Sequence, residues 1–369
     1  MEPRPRTTLV RKVARSRSSQ TSRRARGGGG RGLSALVARR LGIGCLQVLG
    51  VSLVTFCIVA VVPGDPAAAN LGQAALGDPT IVRAFNRQYG LDRPLPVRYA
   101  LYVWHLLHGN LGQSQLTQRP VATDLAQYFP ATLELALSAI VVAFALGVTL
   151  GLVAAFFHNR LPDRLIRFFS LAGISVPNFW LGLVAFYLFF YKLRWLPGTG
   201  RLSPELNPPG TITGMYTVDS LLTGNWTDFV DSLRHLVLPA SVLGCYTLSL
   251  ITRFSRASVL DVLNQEYVLA AVGKGLPTRT VVLRHVLRPA LLQIITIVGL
   301  AFGSLLSGAV LVEQVFSWPG LGQYAYRSAT SLNLPGVTGV CILIAVIYIF
   351  VNLAADVAYV LIDPRLAPQ

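Results

Sequence analysis

Two carboxyl groups stand inside otherwise apolar stretches, Glu134 within residues 131–157 and Asp356 within residues 336–362. An ionised side chain is expensive in hydrocarbon, so each is a candidate for ion or proton chemistry. Glu134 follows Pro130 by four residues, and in the first turns of a helix a negative charge is favoured by the helix dipole. It therefore reads as structural. Asp356 shares a helical face with Asn352 near one end of its stretch. That fits pairing with an arginine, or with a sister subunit, better than a proton relay, which would want acids near the midplane and an internal repeat. The four cysteines, Cys45, Cys57, Cys245 and Cys341, all lie in apolar stretches, form no CxxC and read as small apolar fillers. His105 and His108 are three residues apart without a neighbouring carboxylate, which is poor spacing for a metal. No G-x-x-x-x-G-K-[ST] loop is present. No His/Glu, Ser/His or paired-Asp set can be assembled at a common depth. We therefore expect no catalytic residue, no metal ligand and no cofactor site. The chemistry left is that of contact.

The elements carrying these residues follow from composition. Of 369 residues 53% are hydrophobic and 13% charged, with a mean hydropathy of +0.54. A soluble domain carries about 25% charged residues, so a soluble enzyme and a disordered chain are both excluded. Six stretches are nearly free of charge: 41–62, 131–157, 168–191, 236–252, 290–312 and 336–362. A bilayer core needs about 20 apolar residues of helix, and the alternation of a β-barrel is missing. The sequence predicts six membrane-spanning helices in an all-α protein.

The net charge of +16 would suggest nucleic acid in a soluble chain. Its distribution says otherwise. With both termini inside, the inner segments carry 22 Lys/Arg and the longer outer segments 10, the bias that fixes topology. Residues 1–40 alone contribute +11. This Arg-, Ser- and Gly-rich tail reads as a disordered arm against anionic lipid, and residues 1–32 are assigned to it. Arg23-Arg24 invites a twin-arginine reading, but a full spanning segment follows instead of a short cleavable one, so residues 33–62 read as an uncleaved first helix. Residues 63–130 form an extracytoplasmic segment with helical stretches and a Pro94/Pro96 turn, and it reads as a helical subdomain. Residues 131–365 form a core of five further spans, with a loop-rich outer segment at 192–235 and a cytoplasmic loop at 253–289.

That cytoplasmic loop is the most informative region. Val259, Leu260, Leu263, Tyr267 and Ala270/Ala271 recur every three to four residues, an apolar helical stripe. Gly275 can end that helix and Pro277 can sit in the first turn of the next. The prediction is a helical hairpin whose corner, through Ala270, Ala271, Gly273 and Gly275, is small enough for another protein to approach its backbone. A packed interfacial hairpin with no partner is the plainer alternative.

Here the residues stop being generic. Glu266-Tyr-Val-x-x-Ala-x-x-x-Gly275-Leu, with Arg284-His285-x-Leu-Arg-x-Ala290 downstream, resembles the EAA signature of ABC-importer permease subunits. The dipeptide/oligopeptide/nickel family, in its B-type subunit, is the nearest resemblance, and it extends from about Leu33 to the end. Pro63-Gly-Asp-Pro66, Tyr89-Gly-Leu-Asp-Arg-Pro-Leu-Pro-Val-Arg-Tyr99, Gly109-Asn-Leu-Gly112-Gln-Ser114, Ser175-Val-Pro-Asn-Phe-Trp-Leu-Gly182, Phe316-Ser-Trp-Pro-Gly-Leu-Gly322 and Asp363-Pro-Arg365 recur in the family's order. Gly273, Pro277 and Pro289 depart from it, where Ala, Ser and a non-proline residue are usual.

The resemblance implies a type I ABC-importer permease fold working as half of a heterodimeric pore. Its partners would be a homologous second permease, two cytoplasmic ATPases that bind the ATP, and an extracytoplasmic substrate-binding protein. It implies that Glu266, Ala270, Ala271, Gly275 and Leu276 couple the pore to an ATPase, with Ala271 and Gly275 permitting close approach and Leu276 serving as an apolar anchor. The implied cargo is a di- or oligopeptide, or a nickel chelate, glutathione or another small solute. An ATP-independent transporter or channel is the competing class, and it would need no small-cornered hairpin. The coupling assignment predicts that Gly275→Trp abolishes uptake while membrane insertion, followed by fractionation, is unchanged; unimpaired uptake would refute it.

Overall fold

A computed structural model describes the backbone of residues 29–61, 67, 71 and 78–362. Residues 1–28 of the basic tail, the Pro63–Pro66 motif and the Asp363–Arg365 motif lie outside these residues, and so does the side chain of Asp356; residues 29–32, assigned to the disordered tail, are instead the first turn of a helix. Among the described residues the chain is helical, with one isolated β-bridge between Gln113 and Pro120. Helix α1 spans Gly29–Val61. Helices α2 (Pro79–Gln88) and α3 (Leu95–Leu107) follow in the predicted extracytoplasmic segment. Asp78 caps α2 by accepting from the Thr80 amide at 2.8 Å, and Pro94 and Pro96 set the start of α3.

The core is built on two long helices, α4 (Val121–Phe156) and α8 (Trp226–Leu263). Between them come α5 (Leu161–Ser175), α6 (Asn178–Ala185), which continues as a π-helical segment to Lys192, and the short α7 (Tyr216–Leu222). After α8 the chain forms α9 (Glu266–Gly273), a turn at Thr278–Thr280 and a π-helical Val281–Leu287. It then enters α10 (Arg288–Val315), α11 (Leu321–Thr330) and α12 (Leu334–Ile362).

Each of the six apolar stretches is helical, but they differ in form. Three are single helices long and apolar enough to cross a membrane: α4, α8 and the Leu334–Ala354 part of α12. The predicted 168–191 stretch is not one straight span. It breaks between α5 and α6 with a bend of 105°. Pro177 explains the break, since its ring drives Val176 out of the helical region, to φ −88° and ψ 125°. Helix α10 also has two parts, Ile297–Leu306 and Gly308–Val315, so up to five spans result if each bent pair is one. The described apolar part of α1 is Gly42–Ile58.

Helices α4 and α8 touch through glycine. Gly147 and Gly151 are one turn apart on α4. A Cβ at Gly147 would lie 2.8 Å from the Ile251 side chain, and one at Gly151 would lie 2.4 Å from Ser255 Cβ and 2.9 Å from the Thr252 carbonyl. Gly244 of α8 repeats the approach in the other direction, with the Ala139 carbonyl 3.1 Å from its would-be Cβ. Lipid tails are as apolar as the helices, so close van der Waals packing is what holds such a pair together. Above this notch a buried cluster gathers Leu135 and Ala139 of α4, Leu243 of α8 and Leu305 and Ala309 of α10, closed by Phe316 and Trp318. Gly151→Val should lower thermal stability by about 1–3 kcal/mol, the cost of overpacking a full interface, read as a drop in melting temperature of the detergent-solubilised protein. Gly50→Val, where nothing lies within 4 Å of the added Cβ, should leave it unchanged.

Candidate functional site

The hairpin grows directly from α8. The apolar stripe of the sequence is not one helix: α8 ends at Leu263, Gln265 is extended (φ −77°, ψ 142°), and α9 restarts at Glu266. The break turns the stripe into two short faces around a common centre. Val259 and Val262 of α8, Val268 and Ala271 of α9, and Val281, Val286 and Ala290 beyond the turn pack with Ala155 at the end of α4. The other side of α9 is bare. Leu269 and Val272 are 61% and 58% exposed, and Tyr267 and Leu276 are exposed beside them.

The tip is closed by its own backbone. Gly275 takes φ +73°, and no atom lies within 4 Å of a Cβ built there. Its amide donates to the Val272 carbonyl at 2.9 Å, and the Leu276 amide reaches the Ala271 carbonyl at 3.4 Å. Together they form a Schellman closure, in which the left-handed residue is nearly always glycine. Gly275 is thus required by the turn itself, and the outer surface of Gly273 is equally open.

Of the five residues singled out, Glu266, Ala270, Gly275 and Leu276 are exposed on the hairpin, and Ala271 is not. Ala271 packs inward with Val268, so its small size serves the hairpin's interior. Glu266 opens α9 and makes no ion pair among the described residues; the helix N-terminus favours its charge.

A charge cluster absent from the sequence reading anchors the base of the hairpin. Asp163, fully buried at the start of α5, accepts from Arg256 of α8 through both oxygens, from Nε at 2.7 Å and Nη2 at 3.0 Å. The Asn159 amide adds a bond at 2.9 Å, Arg167 lies 3.5 Å away, and His158 Nδ1 is 3.0 Å from Arg256 Nη2. A two-pronged arginine–carboxylate pair fixes orientation as well as distance. It ties the α4–α5 connection to α8 two turns before the hairpin.

The far end of the bundle carries further buried acids, Glu134 and Glu313 among them. Glu134 lies thirteen residues into α4, because the helix begins at Val121 and passes through Pro130. The dipole argument therefore does not apply to it. Its partner is Arg201, which donates Nη2 to Glu134 Oε2 at 2.6 Å and to the Gly214 carbonyl at 2.8 Å, with its guanidinium 3.7 Å above the Tyr216 ring. Thr217 donates to Oε1 through amide and hydroxyl. The structural reading of Glu134 stands on this network instead.

Glu313, one residue beyond the fifth apolar stretch, escaped notice altogether. It is fully buried and accepts from the Thr132 hydroxyl at 2.6 Å and the Gln323 amide at 2.9 Å, while Thr132 also receives the Leu321 amide at 2.7 Å. Trp318 Nε1 donates to the Ala131 carbonyl at 2.8 Å. The Phe316–Gly322 motif is thereby bolted to α4. In the loop-rich segment at 192–235, burial pushes the Asp219 carboxyl up, but bonds from Thr213, Gly214 and Ile212 outweigh it and hold it below the usual range. The four cysteines are free, and no group of three His, Cys, Asp or Glu among the described residues could hold a metal.

Residues 147–368 match the family described as binding-protein-dependent transport system inner membrane component, and residues 33–136 match the N-terminal component of the same systems. A probable D,D-dipeptide transport system permease protein of Escherichia coli is 44% identical over 87% of this chain and 94% of its own length. A di/tripeptide transport system permease protein of Pseudomonas aeruginosa is 40% identical over 91% of this chain and 99% of its own. A glutathione transport system permease protein of Salmonella typhimurium is 34% identical over 90% and 99%.

Proposed function

The chain belongs to the binding-protein-dependent transport system inner membrane component family, and from that premise we propose that it is half of the pore of an ATP-driven peptide importer. It crosses the membrane six times, through α1, α4, the α5–α6 pair, α8, α10 and α12, with both termini cytoplasmic. The Lys/Arg bias of the inner segments supports this orientation. A homologous permease completes the pore, two cytoplasmic ATPases bind and hydrolyse the ATP, and an extracytoplasmic binding protein delivers the cargo. The chain itself is non-catalytic and holds no cofactor. A di- or oligopeptide is the cargo, as the names of the dipeptide and di/tripeptide relatives support. The tripeptide glutathione falls in the same chemical class, and a relative carries that name.

One observation carries the coupling role: the bare side of α9. Soluble-facing apolar side chains on a braced, capped helix are what a helix-in-groove contact uses. Glu266, Ala270, Gly275 and Leu276 lie on that exposed surface, with Tyr267, Leu269 and Val272 as further anchors. When the ATPases close, a groove holding α9 would move the hairpin, and the Arg256–Asp163 pair would pass that motion to α4 and α5 as a rigid body.

Gly275→Trp combines added bulk with strain at a positive φ, so Gly273→Trp is the cleaner test. Gly273 has helical backbone and nothing within 4 Å of its added Cβ, so the chain bears no internal cost. Gly273→Trp should leave insertion and melting temperature unchanged, while ATPase co-purification and peptide uptake fall by about tenfold or more, as expected when bulk is forced into the centre of an interface. Wild-type uptake and ATPase recovery in that variant would refute the coupling role.

A further inference from the structure

At the opposite end of the bundle from the hairpin, a half-open cavity of about 430 Å³ lies between the end of α1, the α2–α3 region and the start of α12. Phe56 supplies an apolar wall, and Arg87, Arg93, Arg98, Tyr102 and Gln115 line it among others. The volume lies within the range of small-ligand sites. Two features of its lining are incomplete. Among the described residues no carboxylate stands within ion-pair distance of Arg87, Arg93 or Arg98, although Arg98 is half-buried. Gln115 is 2% exposed, yet its Oε1 makes no hydrogen bond.

Gln115 is not loosely placed. Its amide donates to Asn333 Oδ1 at 2.9 Å, and its carbonyl accepts from Gln118 Nε2 at 3.0 Å. The Tyr102 hydroxyl, buried near Thr338, also makes no hydrogen bond of ordinary geometry. Buried polar groups are nearly always paired, so a held acceptor left open needs a reason. Guanidinium groups with no carboxylate partner among the described residues ask for an anionic oxygen group, and the open amide oxygen asks for an N–H donor. A single small molecule can supply both.

We propose that this cavity binds a small zwitterion that joins an anionic oxygen group to a primary ammonium, the former facing the arginines and the latter meeting Gln115 Oε1. The free termini of a dipeptide carry this chemistry, and so does the headgroup of phosphatidylethanolamine. The site takes from the transport reading only its choice of dipeptide as probe, and uptake by hairpin variants tests that reading separately.

The test uses the full chain in nanodiscs of phosphatidylcholine alone, titrated calorimetrically with alanylalanine and with its N-acetylated, C-amidated analogue. Saturable binding of alanylalanine is expected, with none for the capped analogue. Arg98→Gln should weaken it by about tenfold and Gln115→Met by a few-fold, the usual scale for losing one charge-assisted or one neutral hydrogen bond. Arg93→Gln, at the exposed rim, gives a second reading should Arg98→Gln fail to fold by circular dichroism. In a second arm the chain is placed in nanodiscs containing phosphatidylethanolamine, and retained lipid is counted by native mass spectrometry. Retention lost in Arg98→Gln or Arg93→Gln, without dipeptide binding, assigns the lipid headgroup as the source. Neither ligand binding the wild type, or both binding the variants as they bind the wild type, overturns the proposal.

Discussion

The contact between α4 and α8 sets the geometry of everything else. No hydrophobic drive separates helix from lipid, so two helices stay together in a membrane only if their backbones come close enough for dense packing. Gly147, Gly151 and Gly244 allow that approach, and any side chain at these places would collide with Ile251, with Ser255 and the Thr252 carbonyl, or with the Ala139 carbonyl. Once α4 and α8 are fixed, the buried cluster above them has a floor. Below them, the end of α4 reaches the hairpin core through Ala155. The register of this one pair therefore decides where the hairpin stands relative to the loops at the opposite end.

The two ends of the bundle are secured by different means. The end away from the hairpin uses buried carboxylates as nodes: Glu134 gathers Arg201 and Thr217, and Glu313 gathers Thr132 and Gln323. Each fastens a connecting loop to α4, so neither loop can shift without exposing an acid or leaving it unpaired, a cost of several kcal/mol. The hairpin end uses an arginine–carboxylate clamp at Arg256 and Asp163, and beyond it the hairpin makes no such ion pair among the described residues. Stiffness is concentrated around the loops at the far end and at the root of the hairpin, and contact surface is concentrated at its tip.

Much of this was legible in the sequence because it follows from local rules. The six apolar stretches emerge as helices, the hairpin lies where the three-to-four residue spacing placed it, and Gly275 ends its helix as a glycine at positive φ. What escaped was long-range. Nothing local ties Glu134 to Arg201, sixty-seven residues later, and the helix start at Val121 was hidden because residues 121–130 are too polar to read as part of a span. Asp163 looked like one acid among the basic residues of a loop, and only the fold brings Arg256 across to it. The inward packing of Ala271 was hidden for a related reason. The break at Gln265 rotates α9, so the side of the stripe that faces inward changes between Leu263 and Val268. Pro177 was in plain view, but a proline in an apolar run signals a kink without fixing its size.

The Schellman closure at Gly275 has a consequence for how α9 can part from anything it touches. The Gly275 and Leu276 amides and the Val272 and Ala271 carbonyls are satisfied within the turn, so a groove that held it there would grip side chains and these peptide groups would have no stake in the grip. Withdrawal then uncovers apolar surface but leaves no orphaned hydrogen bond behind. Such a joint loosens smoothly as its overlap shrinks, without the abrupt barrier of breaking a bonded lattice, and it comes out of each withdrawal with the same shape it had before.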